Sequence, residues 1–442
     1  MNWKKKLLFK LLRNLEMFKI RKIRLPFLLL MFGLFTICNL IYLVQSIRLQ
    51  LLNKECNGDE YYYENLYRLD QISLEKITSI PSQIYVFISS IFNFFINDSI
   101  LSTRIVSVVS AVLFLFFVYN FFFKRLLIDS VEKSILFIFF GSIIFITRNC
   151  FIGTSDFMSI CLLFITLWQL IEFFENEKAF NSKKMLLIGA ILGISITVRP
   201  TVLLVYLVFS ISLLFFKKYR LVITYKLKEL FLIAFSSLFL IILINLYPVI
   251  HEHKIVLDVK EIPKETGVNW LQRNYLMAKF WDNGSLDKGN WLSTQDVIDY
   301  KMKNPNAFIP KDNFEILMQE PGLYARQMTR MFVKANYTYF RFMYLFFPIL
   351  WLIFFPVFKK NNLSKETDKY KLIILTLFLS TLFFSFMAIK MFEPRWVVAI
   401  LLVYALFSIE YLIKFKQEKR YLVYSISSVL GIIMFLNTFL GN

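Results

Sequence analysis

The chain has 442 residues, 57% of them hydrophobic, and a mean hydropathy of +0.57. Such a composition excludes a water-soluble globular protein, because the apolar residues arrive in runs long enough to span a bilayer. A formal net charge of +20 would point to nucleic acid in a soluble protein, but here the Lys and Arg stand in short clusters between apolar runs. They read as determinants of membrane orientation, with no nucleic acid implied.

In chain order, residues 1–24 form a basic segment, and Leu25 to Val44 is the first run of spanning length. No small-x-small cleavage site follows it, so it reads as an uncleaved first helix. After an outer loop at 45–99, the spans run from Ile100 to Phe123, Ser134 to Thr147, Asp156 to Phe174 and Leu230 to Val249. Phe340 to Phe358, Leu372 to Ile389, Trp396 to Ile413 and Tyr421 to Phe439 complete the long runs. Met185 to Phe216 is apolar throughout, with basic clusters at both ends and Arg199-Pro200 at its middle. One helix of that length would be far longer than the hydrocarbon core of about 30 Å, so two short helices turning at Arg199-Pro200 are expected. Gln83 to Ile96 is apolar but short, and counting it as a span would reverse every later loop. It is expected to lie in the outer interface.

This parse gives an all-α polytopic membrane protein of about eleven transmembrane helices with a cytoplasmic N-terminus. Loops 1–24, 124–133, 175–184, 217–229, 359–371 and 414–420 then fall in the cytoplasm, and they hold 29 of the 51 Lys and Arg residues. The chain divides into the basic N-terminus (1–24), an N-terminal transmembrane module (25–249), a large outer loop domain (250–339) and a C-terminal transmembrane module (340–442). The loop domain is far longer than a connector requires. Cys56 and Cys150 are both expected near the outer surface, which leaves a disulfide between them open.

Charged groups collect at the outer ends of the spans: Asp59 and Glu60, Arg104, Arg148 and Asp156, Arg199, then Lys390, Glu393 and Arg395. Carboxylates there suit acid/base or metal chemistry, and guanidinium groups suit a phosphate. Each has a blander reading. An Arg at a span terminus is commonly a snorkelling anchor, and Asp156 can simply cap a helix N-terminus. Arg199 is harder to dismiss, because an unpaired guanidinium at a recessed hairpin apex is costly. His251 and His253, the only histidines, form a His-x-His whose spacing suits metal binding in an extended segment, although two ligands do not make a site.

Four stretches, taken together, resemble the GT-C superfamily of membrane glycosyltransferases, which includes protein O-mannosyltransferases, aminoarabinose transferases and glycosylphosphatidylinositol mannosyltransferases. They are Gly58-Asp59-Glu60-Tyr61-Tyr62-Tyr63-Glu64 after the first span, and Pro81-Ser82-Gln83-Ile84-Tyr85 with its interfacial helix and Arg104. Arg199-Pro200-Thr201 and Glu393-Pro394-Arg395-Trp396 follow. The likeness covers order and topology over most of 25–413. It departs before Pro81, where Ser79-Ile80 stands in place of the Glu-Lys found in several relatives.

The resemblance implies a GT-C-like fold and a polyprenyl-phosphate-linked sugar, a mannose-like hexose or a pentose, as donor. Transfer to a hydroxyl of a lipid, glycan or protein acceptor would occur on the extracytoplasmic face with inversion. On this reading Asp59 is the base, with Glu60 as its substitute, and Asp156 holds a sugar hydroxyl, an acceptor or a divalent metal. Arg199 and Arg395, with Arg104, Arg148 and Lys390 beside them, hold the donor phosphate, and His251 with His253 is the other candidate metal pair. An O-antigen polymerase or ligase is the nearest competing reading. A transporter or flippase fits less well, because the charges lie at one boundary and no paired repeats are visible. The expected location is a bacterial plasma membrane, since no retention signal is present.

Overall fold

The computed structural model describes residues 21–55, 60–61, 63, 69, 73, 77, 80–146, 149–175, 181–253, 255–256, 267–286, 292–342, 367–387 and 394–440. Among these residues every regular element is helical. Six helices are long and apolar enough to cross a membrane, and a seventh span is reached if one bent pair is counted as a single crossing.

Helix α1 (Arg21–Ser46) continues through a π turn at Ile47–Leu51, and α2 (Gln83–Ile96) is the short apolar helix expected between the first two spans. The bundle follows with α3 (Ser99–Phe121), α4 (Ser130–Ile146), α5 (Asp156–Glu175), α6 (Ser182–Val198) and α7 (Val202–Leu214). Asp98 caps α3 by accepting from Leu101 N at 2.9 Å, and Asn181 caps α6. The expected break at Arg199-Pro200 is present: Arg199 has extended backbone angles, as a residue before proline must, and the chain re-enters helix at Val202.

Two features of this part were not expected. Helix α7 is bent by 107° into α8 (Lys217–Tyr225), where a cytoplasmic loop was predicted. Helix α6 also packs closely along α9 (Leu227–Ile244). The contact is made by Gly189 and Gly193, four residues apart: a Cβ on Gly189 would lie 2.3 Å from Ile233 O, and one on Gly193 would lie 2.6 Å from Ser237 O. Small residues at this spacing let helix backbones approach in lipid, where packing rather than water exclusion drives association.

Helix α10 (Leu246–His251) follows, and α11 (Trp270–Asp282), α12 (Thr294–Lys303) and α13 (Asn313–Gln319) form a small helical unit around Tyr275, Leu276, Val297 and Ile316. Asn269 and Gln272 form a capping box that starts α11, and Ser293 with Asp296 does the same for α12. Helix α14 (Pro321–Phe342) joins this unit to the bundle. Its start is tied to α11 by the ion pair of Lys279 with Glu320, the residue just before α14, at 2.7 Å and by those of Asp282 with Arg326 and Arg330 at 2.6 and 3.1 Å. Its later turns lean on α15 (Thr367–Met387) through Tyr339 and Thr381, whose hydroxyls are 2.6 Å apart. The boundary expected at residue 339 therefore falls inside a helix. Helices α16 (Val398–Leu412) and α17 (Gln417–Leu440) close the bundle, with α16 buried on almost all sides and α17 against α1.

Polar contacts sort the helix ends into two faces. At one face Arg420 makes a bidentate pair with buried Glu132 at 2.6 and 2.8 Å, Lys218 pairs with Glu175 at 2.8 Å, and Lys369 pairs with Glu410 at 2.6 Å. The starts of α3, α5 and α16 and the ends of α6 and α9 meet at the other face, where the candidate site lies.

Gly189→Ala or Gly193→Ala should force α6 and α9 apart, at about 1–3 kcal/mol, and lower the apparent melting temperature in detergent. Gly33→Ala has nothing within 4 Å of its new methyl and should be neutral or slightly stabilising. A second expectation concerns α14. The hydrogen-bonded guanidinium of Arg326 holds Asp282 below its ordinary value of 3.8. A depressed carboxylate contributes fully above the unfolded value, and its contribution is lost as pH falls through the folded one. Asp282→Asn should therefore speed hydrogen exchange in the first turns of α14 near neutral pH, and make no difference well below pH 3.8.

Candidate functional site

Residues 153–156, Gly-Thr-Ser-Asp, lead into α5, and Asp156 is its first residue, where the helix dipole favours a negative charge. The carboxylate is almost fully buried, at 2% exposure. A buried charge in an apolar bundle is costly unless it is paired, and two guanidinium groups pair this one. Arg199, at the end of α6, meets one oxygen, and Arg395, in the 3-10 turn Pro394–Trp396 ahead of α16, meets the other. The Thr154 hydroxyl donates to the oxygen facing Arg395 at 2.8 Å.

The two arginines retain 18% and 23% exposure, directed into a small pocket. Ser159, Ile160 and Leu163 of α5, Thr201 and Val202 at the hairpin, and Trp396 line it with them. Trp396 rests on Phe384 of α15 with ring centroids 5.0 Å apart. Two guanidinium groups held by one carboxylate line a half-apolar recess. That combination suits an anionic group carried on an apolar body.

A second buried pair holds the corner next to this pocket. Arg104 of α3 donates to both oxygens of Glu60, at 2.8 and 2.6 Å, and its remaining hydrogens reach the carbonyls of Leu51, Asn53 and Glu55. Glu60 also accepts from Gly153 N–H. No side chain fits at Gly153, where a Cβ would lie 2.1 Å from Thr103 Oγ1. One arginine thus gathers the end of the first span, the acidic stretch and the approach to α5. Ser82 bonds to Ser155 Oγ at 3.1 Å and to Val198 O at 2.8 Å, and Gln83 bonds to Asn245 at 3.0 Å, which ties α2 to the same corner.

The structure therefore brings Asp156, Arg199 and Arg395 into one pocket and joins Glu60 to Arg104 beside it. Asp59, Arg148, Lys390 and Glu393 lie outside the described residues, as does Cys56. Cys150 is a free, buried thiol. His251 and His253 are exposed, and the His251 ring rests against Tyr247 with centroids 4.4 Å apart. Among the described residues no three His, Cys, Asp or Glu side chains come together as a metal site.

Sequence reasoning passed over Gly153 and Asn245. For Gly153 the signal was present: a Gly-Thr-Ser-Asp run at a span start combines a tight turn with three capping side chains.

No protein family, curated protein or solved structure matches the chain.

Glu60→Ala or Arg104→Ala alone leaves a buried charge without its partner, and should lower stability by about 3–5 kcal/mol. The double change Glu60→Leu/Arg104→Met should be milder than either single change. Thermal unfolding of the three purified variants checks this, and a double variant as unstable as the sum of its parts would show that pairing is not what the two side chains supply.

Proposed function

We propose that this chain is a membrane glycosyltransferase that takes a sugar from a polyprenyl-phosphate-linked donor and passes it, with inversion, to an acceptor hydroxyl on the extracytoplasmic face. The observation that carries the reading is the Asp156 cluster: two guanidinium groups from distant parts of the chain, fixed by one buried carboxylate, lining a recess whose remaining walls are part polar and part apolar. A lipid phosphate fits this chemistry. Its charge increases as the sugar leaves, and cations already held in place stabilise that charge without reorganising.

In the transfer, the acceptor oxygen attacks the anomeric carbon, its proton passes to a carboxylate, and the bond from sugar to phosphate oxygen breaks to release polyprenyl phosphate. Asp59 is the candidate base. Glu60, the substitute considered from sequence, already accepts from Arg104 and from Gly153 N–H. The described histidines and carboxylates supply no metal-ligand set, so no step is routed through a metal.

The topology that goes with this reading has about eleven crossings. The six long helices are joined by α4, α6, α7 and α16 and by the apolar run 340–358. The face carrying Arg125, Lys218, Lys369 and Arg420 lies in the cytoplasm, as the bias of basic residues supports. A bacterial plasma membrane is the proposed location. A lipid, glycan or protein acceptor is the proposed partner.

Deleting the gene should remove one sugar unit from an envelope glycan, as read by mass spectrometry. Wild type should restore it, whereas Asp59→Asn and Arg395→Gln at matched membrane abundance should restore less than about 1% of it, since loss of a positioned base alone costs 10²–10⁴-fold. Full restoration by Asp59→Asn removes Asp59 as base. An unchanged glycan profile in the deletion strain overturns the transferase reading and favours a transporter.

A further inference from the structure

The sharp turn between α7 and α8 carries a surface that the candidate site does not use. Helix α7 has 13 residues, and the chain then turns by 107° into the 9-residue α8, so that α8 lies nearly at right angles to the span it follows. It is pinned there from beneath. Tyr219 is fully buried between Phe174 and Phe216, its hydroxyl donates to Glu175, and Lys226 Nζ donates to Phe173 O at 2.9 Å.

The outward surface divides into two stripes. Lys217 and Arg220 of α8 are exposed along one, as is Lys228 in the first turn of α9. Leu221 and Tyr225 of α8 are exposed along the other, with Tyr225 82% accessible, and Leu227 at the start of α9 is exposed too. The apolar stripe continues into the exposed side chains of the adjoining spans, Leu214 on α7 and Phe231 and Phe235 on α9. A helix at right angles to a span, with cations on one edge and apolar groups level with lipid-facing side chains on the other, has the geometry of an interfacial helix.

We infer that α8 and the first turn of α9 lie in the membrane–water boundary and bind anionic lipid headgroups through Lys217, Arg220 and Lys228, while Leu221, Tyr225 and Leu227 enter the acyl region. Charge complementarity selects the occupant: the face presents three exposed cations, while Glu175 beneath it is engaged by Lys218 and Tyr219. An attraction of about 1 kcal/mol per cation corresponds to roughly fivefold in lipid affinity for each. The inference does not depend on the transferase reading, because it concerns the opposite face of the bundle.

The test uses the purified full-length chain, titrated separately with phosphatidylglycerol and phosphatidylcholine and read by native mass spectrometry. Wild type should retain phosphatidylglycerol in preference, and the triple variant Lys217→Gln/Arg220→Gln/Lys228→Gln should lose at least tenfold of that affinity. Lys217→Arg/Lys228→Arg should keep it, as should the control Lys303→Gln/Lys334→Gln, which removes two exposed cations from the outer segment. Equal binding of the two lipids by wild type overturns the inference, and so does an equal loss in the control. A triple variant that keeps its thermal transition but loses the lipid preference assigns the loss to the surface and not to misfolding.

Discussion

Burial of the Asp156 carboxylate is the constraint on which this face of the bundle depends. A charge at the start of an apolar helix has no water to solvate it, so cations must come to it. They come from the break between α6 and α7 and from the turn before α16. Neither can approach unless the chain leaves helical geometry at that level, which Arg199-Pro200 and the 3-10 turn at Pro394–Trp396 each provide. The breaks and the ion pairs thus require one another, and the pocket is the space their meeting leaves open. The Arg104–Glu60 pair solves the same problem beside it, with the difference that every donor of Arg104 is spent on protein acceptors. The Asp156 arginines are partly exposed, whereas Arg104 is buried.

Helix length sets the depth of this site. At about 1.5 Å per residue, α6 rises about 26 Å and α7 about 20 Å, both short of a hydrocarbon core of about 30 Å. If α8 rests at one boundary, Arg199 lies below the other by the difference. A recess follows from arithmetic on two short helices, with no inward folding of a loop required. The close contact of α6 with α9 through Gly189 and Gly193 compensates for the small interface that such short helices offer.

Much of this was legible in the sequence because lipid imposes simple rules. Apolar length located α1, α3, α5, α9 and α15, and a proline beside an arginine located the hairpin. The same rules are silent on pairing. Glu60 and Arg104 stand 44 positions apart, and nothing in either segment shows that they meet, so each was read singly, Glu60 as a substitute base and Arg104 as a phosphate ligand. The Gly-x-x-x-Gly of α6 and the Asn-x-x-Gln box that opens α11 were visible but unweighted, the first because an apolar run hides its small residues. Helix α8 was missed for another reason. Its basic residues satisfied the loop rule so well that the intervening Leu221, Val222 and Ile223 were not read as periodic.

The carboxylates differ in what their surroundings leave them able to do, and that difference bears on the proposed chemistry. A general base needs a lone pair within reach of the acceptor hydroxyl. Glu60 spends its oxygens on Arg104 and on Gly153 N–H, and Asp156 spends its own on Arg199, Arg395 and Thr154. An acid locked between two guanidiniums fixes the cations in place, and it would have to release one of them to accept a proton. Under the transferase reading the work divides accordingly. Asp156 orients the arginines, the arginines hold the phosphate, and the base falls to a carboxylate outside both clusters. Asp59 is the candidate by its place in the sequence: it directly precedes Glu60, the residue that joins Arg104 to the corner where α5 begins.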